Sequence, residues 1–375
     1  MAGSFTSRGK VRSPGRTTEV SEGSDQALTP ELTALVERFR SGQRAALARG
    51  ISVVENERPG FQAFLHEVLA GHTRARRVGL TGPPGAGKSS LVAALATLCR
   101  AKGERVGVVA VDPTSPFSGG ALLGDRIRMN DLATDPGVFI RSMVTRGSLG
   151  GLATTTNEVI DLMDAFGLAR LFVETVGVGQ TELEITGAAD TVVVVLMPES
   201  GDSIQAMKAG LMEIADVFVV NKADRPGADR MVREIETALH LRAGRAMGSV
   251  PAHHGVDLSG GAAKASSGSD PGAGDADWKI PVLTSVALTG EGLDTLLETL
   301  DRHRDFLDQS GEMVERMRER AARRVRAVVR RELGKLVWAR PEAEVLLAKG
   351  LDRIERGEAT PYSVSRDVIE EFNGS

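Results

Sequence analysis

RRVGLTGPPGAGKSSLVAAL, residues 76–95, runs from a short apolar stretch through a glycine-rich turn into an apolar pattern of helical spacing. The pattern Gly82-x-x-x-x-Gly87-Lys88-Ser89 is the phosphate-cradling loop between a strand and a helix. Val78–Thr81 reads as a buried strand, and Lys88 opens the helix. Gly82, Gly85 and Gly87 let successive backbone N–H groups turn inward around phosphate oxygens, with Pro83, Pro84, Ala86 and Ser90 completing the cradle. The helix N-terminus adds its positive dipole end. Lys88 supplies a mobile charge for the β- and γ-phosphates, and the Ser89 hydroxyl is a hard oxygen suited to Mg²⁺. The segment predicts a nucleoside triphosphate site.

Around this segment the chain has 375 residues, 41% apolar and 26% charged, the composition of an ordinary globular protein of one or two domains. A net charge of −4 gives no general attraction to nucleic acid or to an anionic membrane. The single cysteine, Cys99, falls on the apolar face of the helix after the loop, so no intrachain disulfide forms and a reducing cytoplasmic setting is expected. No apolar run approaches membrane-spanning length. Residues 1–28 have bases but no apolar core of a secretory signal, and read as a disordered tail.

Thr29-Pro30-Glu31 has the order of a helix start, and apolar residues then recur at helical spacing to about His72, which predicts a helical N-terminal extension over 29–72. From 73 to 304 strand-like and helix-like segments alternate. The strand candidates are 78–81, 106–111, 138–142, 171–174, 191–197, 217–221 and 282–285. Several are continuous apolar runs, as in parallel strands covered on both faces. The expected fold class is therefore α/β: a P-loop domain with a mostly parallel sheet flanked by helices, and helical extensions at both ends. A Gly/Ala/Ser/Asp-rich stretch at about 244–277 reads as a flexible insertion, and its His253 and His254 as an unremarkable pair. Residues 305–375 turn helical and arginine-rich. Met313, Met317, Ala321, Val325, Val328, Val329, Leu333, Leu336 and Val337 form a stripe at three- and four-residue steps, expected to pack on a partner while the charged faces stay solvated.

Asn221-Lys222-Ala223-Asp224 follows an apolar strand. A carboxylate at Asp224 accepts two hydrogen bonds from the N1–H and exocyclic amine of guanine, a donor pair adenine does not offer. Asn221 would brace the loop and the Lys222 stem would cover the base. Glu174 ends a buried strand with Gly177 three residues on, the position of an acid near Mg²⁺ followed by a switch glycine. Val178 stands where many GTPases have a water-orienting glutamine, and Gln180 has the wrong spacing to replace it. Slow intrinsic hydrolysis follows, with the missing group supplied elsewhere. Asp112 and Asp125 add two acids, so Ser89, Asp112, Asp125 and Glu174 form the candidate metal shell, with a helix cap as the alternative reading of Asp125.

GPPGAGKSS, VAVDPTSP, GALLGDRIRM, FIRSMVTRG, ETVGVGQ and VVNKAD together resemble the MeaB/ArgK/MMAA family of G3E P-loop GTPases, and GISVVEN and TPYSVS extend the resemblance from about Thr29 to the C-terminus. The resemblance implies a GTP-hydrolysing chaperone that gates cofactor loading and protects an adenosylcobalamin-dependent acyl-CoA mutase, typically methylmalonyl-CoA mutase. It implies GTP or GDP with Mg²⁺ as the bound species, adenosylcobalamin belonging to the partner, and a homodimer formed through the C-terminal helices. It also implies catalytic roles for Lys88, Glu174 and Lys208. Lys208 lies in a segment matching Pro198–Lys208 that reorganises when the mutase docks and brings a cation to the phosphates. Where the family commonly has Ser-Ala-Leu in the last guanine loop, this chain has TSVALTGEG. Val286 replaces the serine, leaving Ser285 and the backbone of Val286 and Ala287 to meet the base. Two other enzyme readings compete. An ATP-dependent amino-acid transport kinase is opposed by the guanine motif, and a nickel-insertion GTPase by the scarcity of Cys and His. A nucleic-acid module resting on the arginines is the weakest reading.

Overall fold

A computed structural model describes residues 28–71, 75–113, 130–145, 154–175, 185–198, 210–247 and 277–374. The chain divides into two compact units, Met1–Gly71 and His72–Ser375.

The first unit holds α1 (Pro30–Arg40), α2 (Arg44–Glu55) and α3 (Phe61–Leu69). Thr29 caps α1, its hydroxyl accepting from Leu32 N–H at 3.3 Å, with Pro30 at the first helical position and Glu31 against the positive dipole end. The recurring apolar positions close a small core of Leu35, Val36, Phe39, Leu47, Ile51, Val54 and Phe64. Phe39 and Phe64 meet edge to face at 6.1 Å.

The second unit is a seven-stranded sheet in the order β3-β2-β4-β1-β5-β6-β7, every pair parallel. The strands are β1 (Arg76–Thr81), β2 (Val106–Pro113), β3 (Val138–Thr145), β4 (Arg170–Thr175), β5 (Thr191–Leu196), β6 (Val217–Asn221) and β7 (Val282–Ser285). All seven expected strands are present. They are legible because helices cover both faces. Along β5, Val193 and Val195 join one cluster and Val194 and Leu196 the other. On the first face lie α4 (Lys88–Ala101) and α8 (Leu293–Ser310), through Leu91, Leu95, Leu296 and Leu300. On the second, α7 (Ala228–Met247) contributes Met231 and Ile235. Two further helices of the central part are α5 (Asn130–Ala133) and α6 (Thr154–Ala165). The expected boundary at 304 falls inside α8, and α7 runs on to Met247, into the start of the expected insertion. Residues 248–276, with His253 and His254, lie outside the described residues, as does the tail to residue 27.

The chain ends in α9 (Glu312–Trp338), α10 (Pro341–Glu355) and α11 (Pro361–Gly374). Here the expectation of a solvated charged face is corrected. On α9 one row of arginines faces the domain, Arg316 pairing with Asp216 at 2.9 Å, Arg320 with Asp190 at 2.7 Å, and Arg324 with Asp161, whereas Arg318, Arg323, Arg326 and Arg330 stay exposed. The reason lies at the amino edge of the sheet. Asp190 and Asp216 precede β5 and β6, and their carboxylates accept the N–H groups of Arg77 at 3.2 Å and Val192 at 2.8 Å. Both acids are buried and need cations. Of the apolar stripe only Met313 is buried, while Met317, Val325, Val329, Leu333 and Leu336 face outward. Among the described residues no helix is long and apolar enough to cross a membrane.

Candidate functional site

The sequence-predicted residues that the structure describes gather at the carboxyl ends of β1, β2, β4, β6 and β7, where open parallel sheets bind ligands. β1, at the centre, feeds the glycine-rich turn. Gly82 has φ +132°, and a Cβ there would lie 2.1 Å from the Val195 carbonyl oxygen of β5. Gly87, at φ +87°, precedes α4, and a Cβ there would lie 2.5 Å from Asn221 Nδ2. Only glycine fits either place.

Lys88 is buried, its ammonium donating to the carbonyls of Gly82 at 2.8 Å and Pro83 at 3.1 Å. Ser89, the second residue of α4, donates its hydroxyl to Glu174 Oε1 at 2.6 Å. Ala86 is buried, whereas Pro84 and Gly85 are exposed at the tip of the turn and Ser90 is partly covered. Thr81 and Thr175 tie the ends of β1 and β4 together at 3.1 Å, a brace the sequence reading missed.

The loop after β6 is fastened to the turn. Buried Asn221 donates from Nδ2 to the Ala86 carbonyl at 2.8 Å, and its Oδ1 accepts from the Ser285 hydroxyl and from Ala287 N–H, each at 3.2 Å. Lys222 sits in the left-handed region at φ +57°, and its ammonium donates to the Gly85 carbonyl at 2.7 Å beside the Met197 sulfur at 3.7 Å. Asp224 is exposed beyond it. The Ser285 hydroxyl is thus turned toward Asn221, and Val286 N–H donates to the Glu291 carbonyl at 3.0 Å. In this geometry Ser285 and Ala287 spend these donors on Asn221, and Val286 spends its N–H on Glu291. The Lys222–Gly85 tie and the Met197 contact had no signal in the sequence, because they join segments distant along the chain.

Asp112 lies near the carboxyl end of β2, two positions past Ala110, whose neighbour in β4 is Glu174. Asp125, Gly177, Val178, Gln180 and Lys208 lie outside the described residues. Among the described residues no group of three or more His, Cys, Asp or Glu side chains is placed to hold a metal. Ser89 and Glu174 nonetheless put two hard oxygens side by side at the start of α4, a donor pair of the kind Mg²⁺ takes.

The sequence profile of the family described as methylmalonyl Co-A mutase-associated GTPase MeaB matches residues 47–342. A Pyrococcus horikoshii protein named as a GTPase is 44% identical over 341 residues, spanning 91% of this chain and 98% of that one. The GTPase ArgK of Escherichia coli is 31% identical, over 90% of this chain and 96% of its own. The mouse mitochondrial methylmalonic aciduria type A homolog is 35% identical, over 72% of this chain and 63% of its own. A crystal structure described as the LAO/AO transport system kinase superposes with a TM-score of 0.63 at 26% identity, covering 92% of this chain and 99% of that one.

Proposed function

Because the chain belongs to the MeaB family of methylmalonyl-CoA mutase-associated GTPases, we propose that its GTP hydrolysis serves an adenosylcobalamin-dependent acyl-CoA mutase, gating cofactor loading and protecting the loaded enzyme. The name of the mouse relative, taken from a disorder of methylmalonate, makes methylmalonyl-CoA mutase the first candidate. The observation that carries the reading is the joint at Asn221, Lys222 and Met197. The phosphate turn and the base loop meet there beside Met197, the residue before Pro198, which supports a reading in which the nucleotide bears on the chain that follows.

In this reading Asp224 reads guanine, and the Lys88 ammonium exchanges the Gly82 and Pro83 carbonyls for phosphate oxygens. Ser89 and Glu174, with Asp112 and Asp125, hold Mg²⁺, which when bound neutralises phosphate charge. Val178 stands where many GTPases have a water-orienting glutamine, so turnover alone is slow. The mutase, on docking, brings Lys208 to the developing charge. Two copies pair through the outward apolar residues of α9, in a reducing cytosolic compartment.

The test is GTP turnover and co-elution with and without purified methylmalonyl-CoA mutase. At least tenfold stimulation is expected, about 1.4 kcal/mol of transition-state stabilisation or more. Lys208→Ala is expected to bring the stimulated rate down toward the unstimulated one, and undiminished stimulation would refute its role. Absence of both stimulation and co-elution would leave a GTPase with some other client.

A further inference from the structure

The N-terminal helical unit carries a feature that the nucleotide chemistry does not use. Between α1 and the α2–α3 turn runs a groove of about 620 Å³. Leu35 and Val53, both buried, form part of its floor. Arg38, Arg49 and Arg58 stand along it, exposed, with Glu31 the single acid. Among the described residues Arg49 and Arg58 have no acceptor, and Arg38 reaches only the Ala34 carbonyl of its own helix, at 3.1 Å. An apolar floor below three guanidinium groups fits an extended, acidic, lightly apolar peptide.

Such a peptide is attached to the groove's own rim. Thr29 lines the groove, and the chain before it is polarised in charge. Residues 1–16 carry Arg8, Lys10, Arg12 and Arg16 and no acid. Residues 17–28, TTEVSEGSDQAL, carry Glu19, Glu22 and Asp25 and no base. Asp25 lies four residues before Thr29 and Glu19 ten, giving extended reaches of roughly 14 and 35 Å. Arg38 lies nine residues along α1, about 13 Å from Thr29. Both reaches cover the distance to Arg38, so the acids can double back along the groove.

We propose that the acidic stretch Glu19–Asp25 docks in this groove, its three carboxylates against Arg38, Arg49 and Arg58 and Val20 toward the apolar floor. A tether this short holds the segment at about millimolar effective concentration, so an affinity too weak to matter between separate molecules suffices here. The contact is ionic and exposed, so it is released by salt as the screening length falls from about 10 Å at 0.1 M toward 3 Å at 1 M.

A nitroxide at Ser24→Cys in the full-length chain tests this. Native Cys99 is fully buried, so the label goes to position 24. At 50 mM salt the spectrum should show an immobilised component, at least threefold smaller at 1 M salt and in the R38E/R49E/R58E variant. It should return when that variant is combined with E19R/E22R/D25R. A label equally mobile in all four samples overturns the proposal, as does immobilisation that survives the charge reversal. Should the label be mobile while a separate TTEVSEGSDQ peptide binds the groove, the site belongs to an acidic segment of another protein, and the proposal fails in that form. Fold integrity of each variant is checked by circular dichroism and by thermal unfolding.

Discussion

Asn221 has the largest consequences of any single side chain in the described site. It satisfies the Ala86 carbonyl on one side and two donors, from Ser285 and Ala287, on the other. Asn221→Ala leaves these buried groups unpaired, each at about 1–3 kcal/mol. Calorimetry should show GTP affinity lowered by at least tenfold, with GDP affected alike. Its role was readable in the sequence because Asn-Lys-x-Asp is local. The contribution of Ser285 was not, because it faces a residue 64 positions away. A second residue, His303, is fully buried between Thr191 and Trp278. Burial pushes its pKa down to about 4, helped by the Arg316 guanidinium and opposed by Asp216 and Asp190. Its neutral form is the native one, whereas the unfolded chain takes up a proton below about 6.5. Its contribution is therefore fully present above pH 6.5, is lost as pH falls toward 4, and amounts to at most roughly 3 kcal/mol. Urea midpoints at pH 5 and pH 7 should differ less in His303→Gln than in the native protein.

Elements were legible where burial is two-sided. The run TVVVVL of β5 is apolar throughout and wholly buried, so it reads as a strand without any periodicity. α9 shows where such reading fails. Its stripe and its arginines are both visible in the sequence, but which of them turns inward depends on Asp190 and Asp216, which precede other strands. The polar face won because two acids that hold strand-edge N–H groups are buried and need cations. Arg320→Met should accordingly lower stability by about 1–3 kcal/mol, less than a fully broken buried pair because Arg304 still meets Asp190 at 3.0 Å. Arg323→Met, whose ion pair with Glu319 is exposed, should change stability by no more than about 0.5 kcal/mol. Thermal unfolding of the two variants side by side distinguishes an anchored helix from one resting on the surface.

At the scale of the molecule, one edge of the sheet carries the nucleotide chemistry and the opposite edge carries the arginine-anchored helix. β5 and β6 run between them. The outward residues of α9 are the candidate contact between copies. Leu333→Glu and Val329→Asp, at positions 48% exposed, should leave the thermal midpoint nearly unchanged and shift sedimentation from dimer to monomer. Unaltered sedimentation would remove α9 from the contact. Pairing of copies through this ridge would link abundance to lifetime. Newly made chains, scarce and unmated, would display it to quality-control proteases, and chains above the association threshold would conceal it. Copy number in the cell would then govern survival of the protein without any dedicated degradation signal.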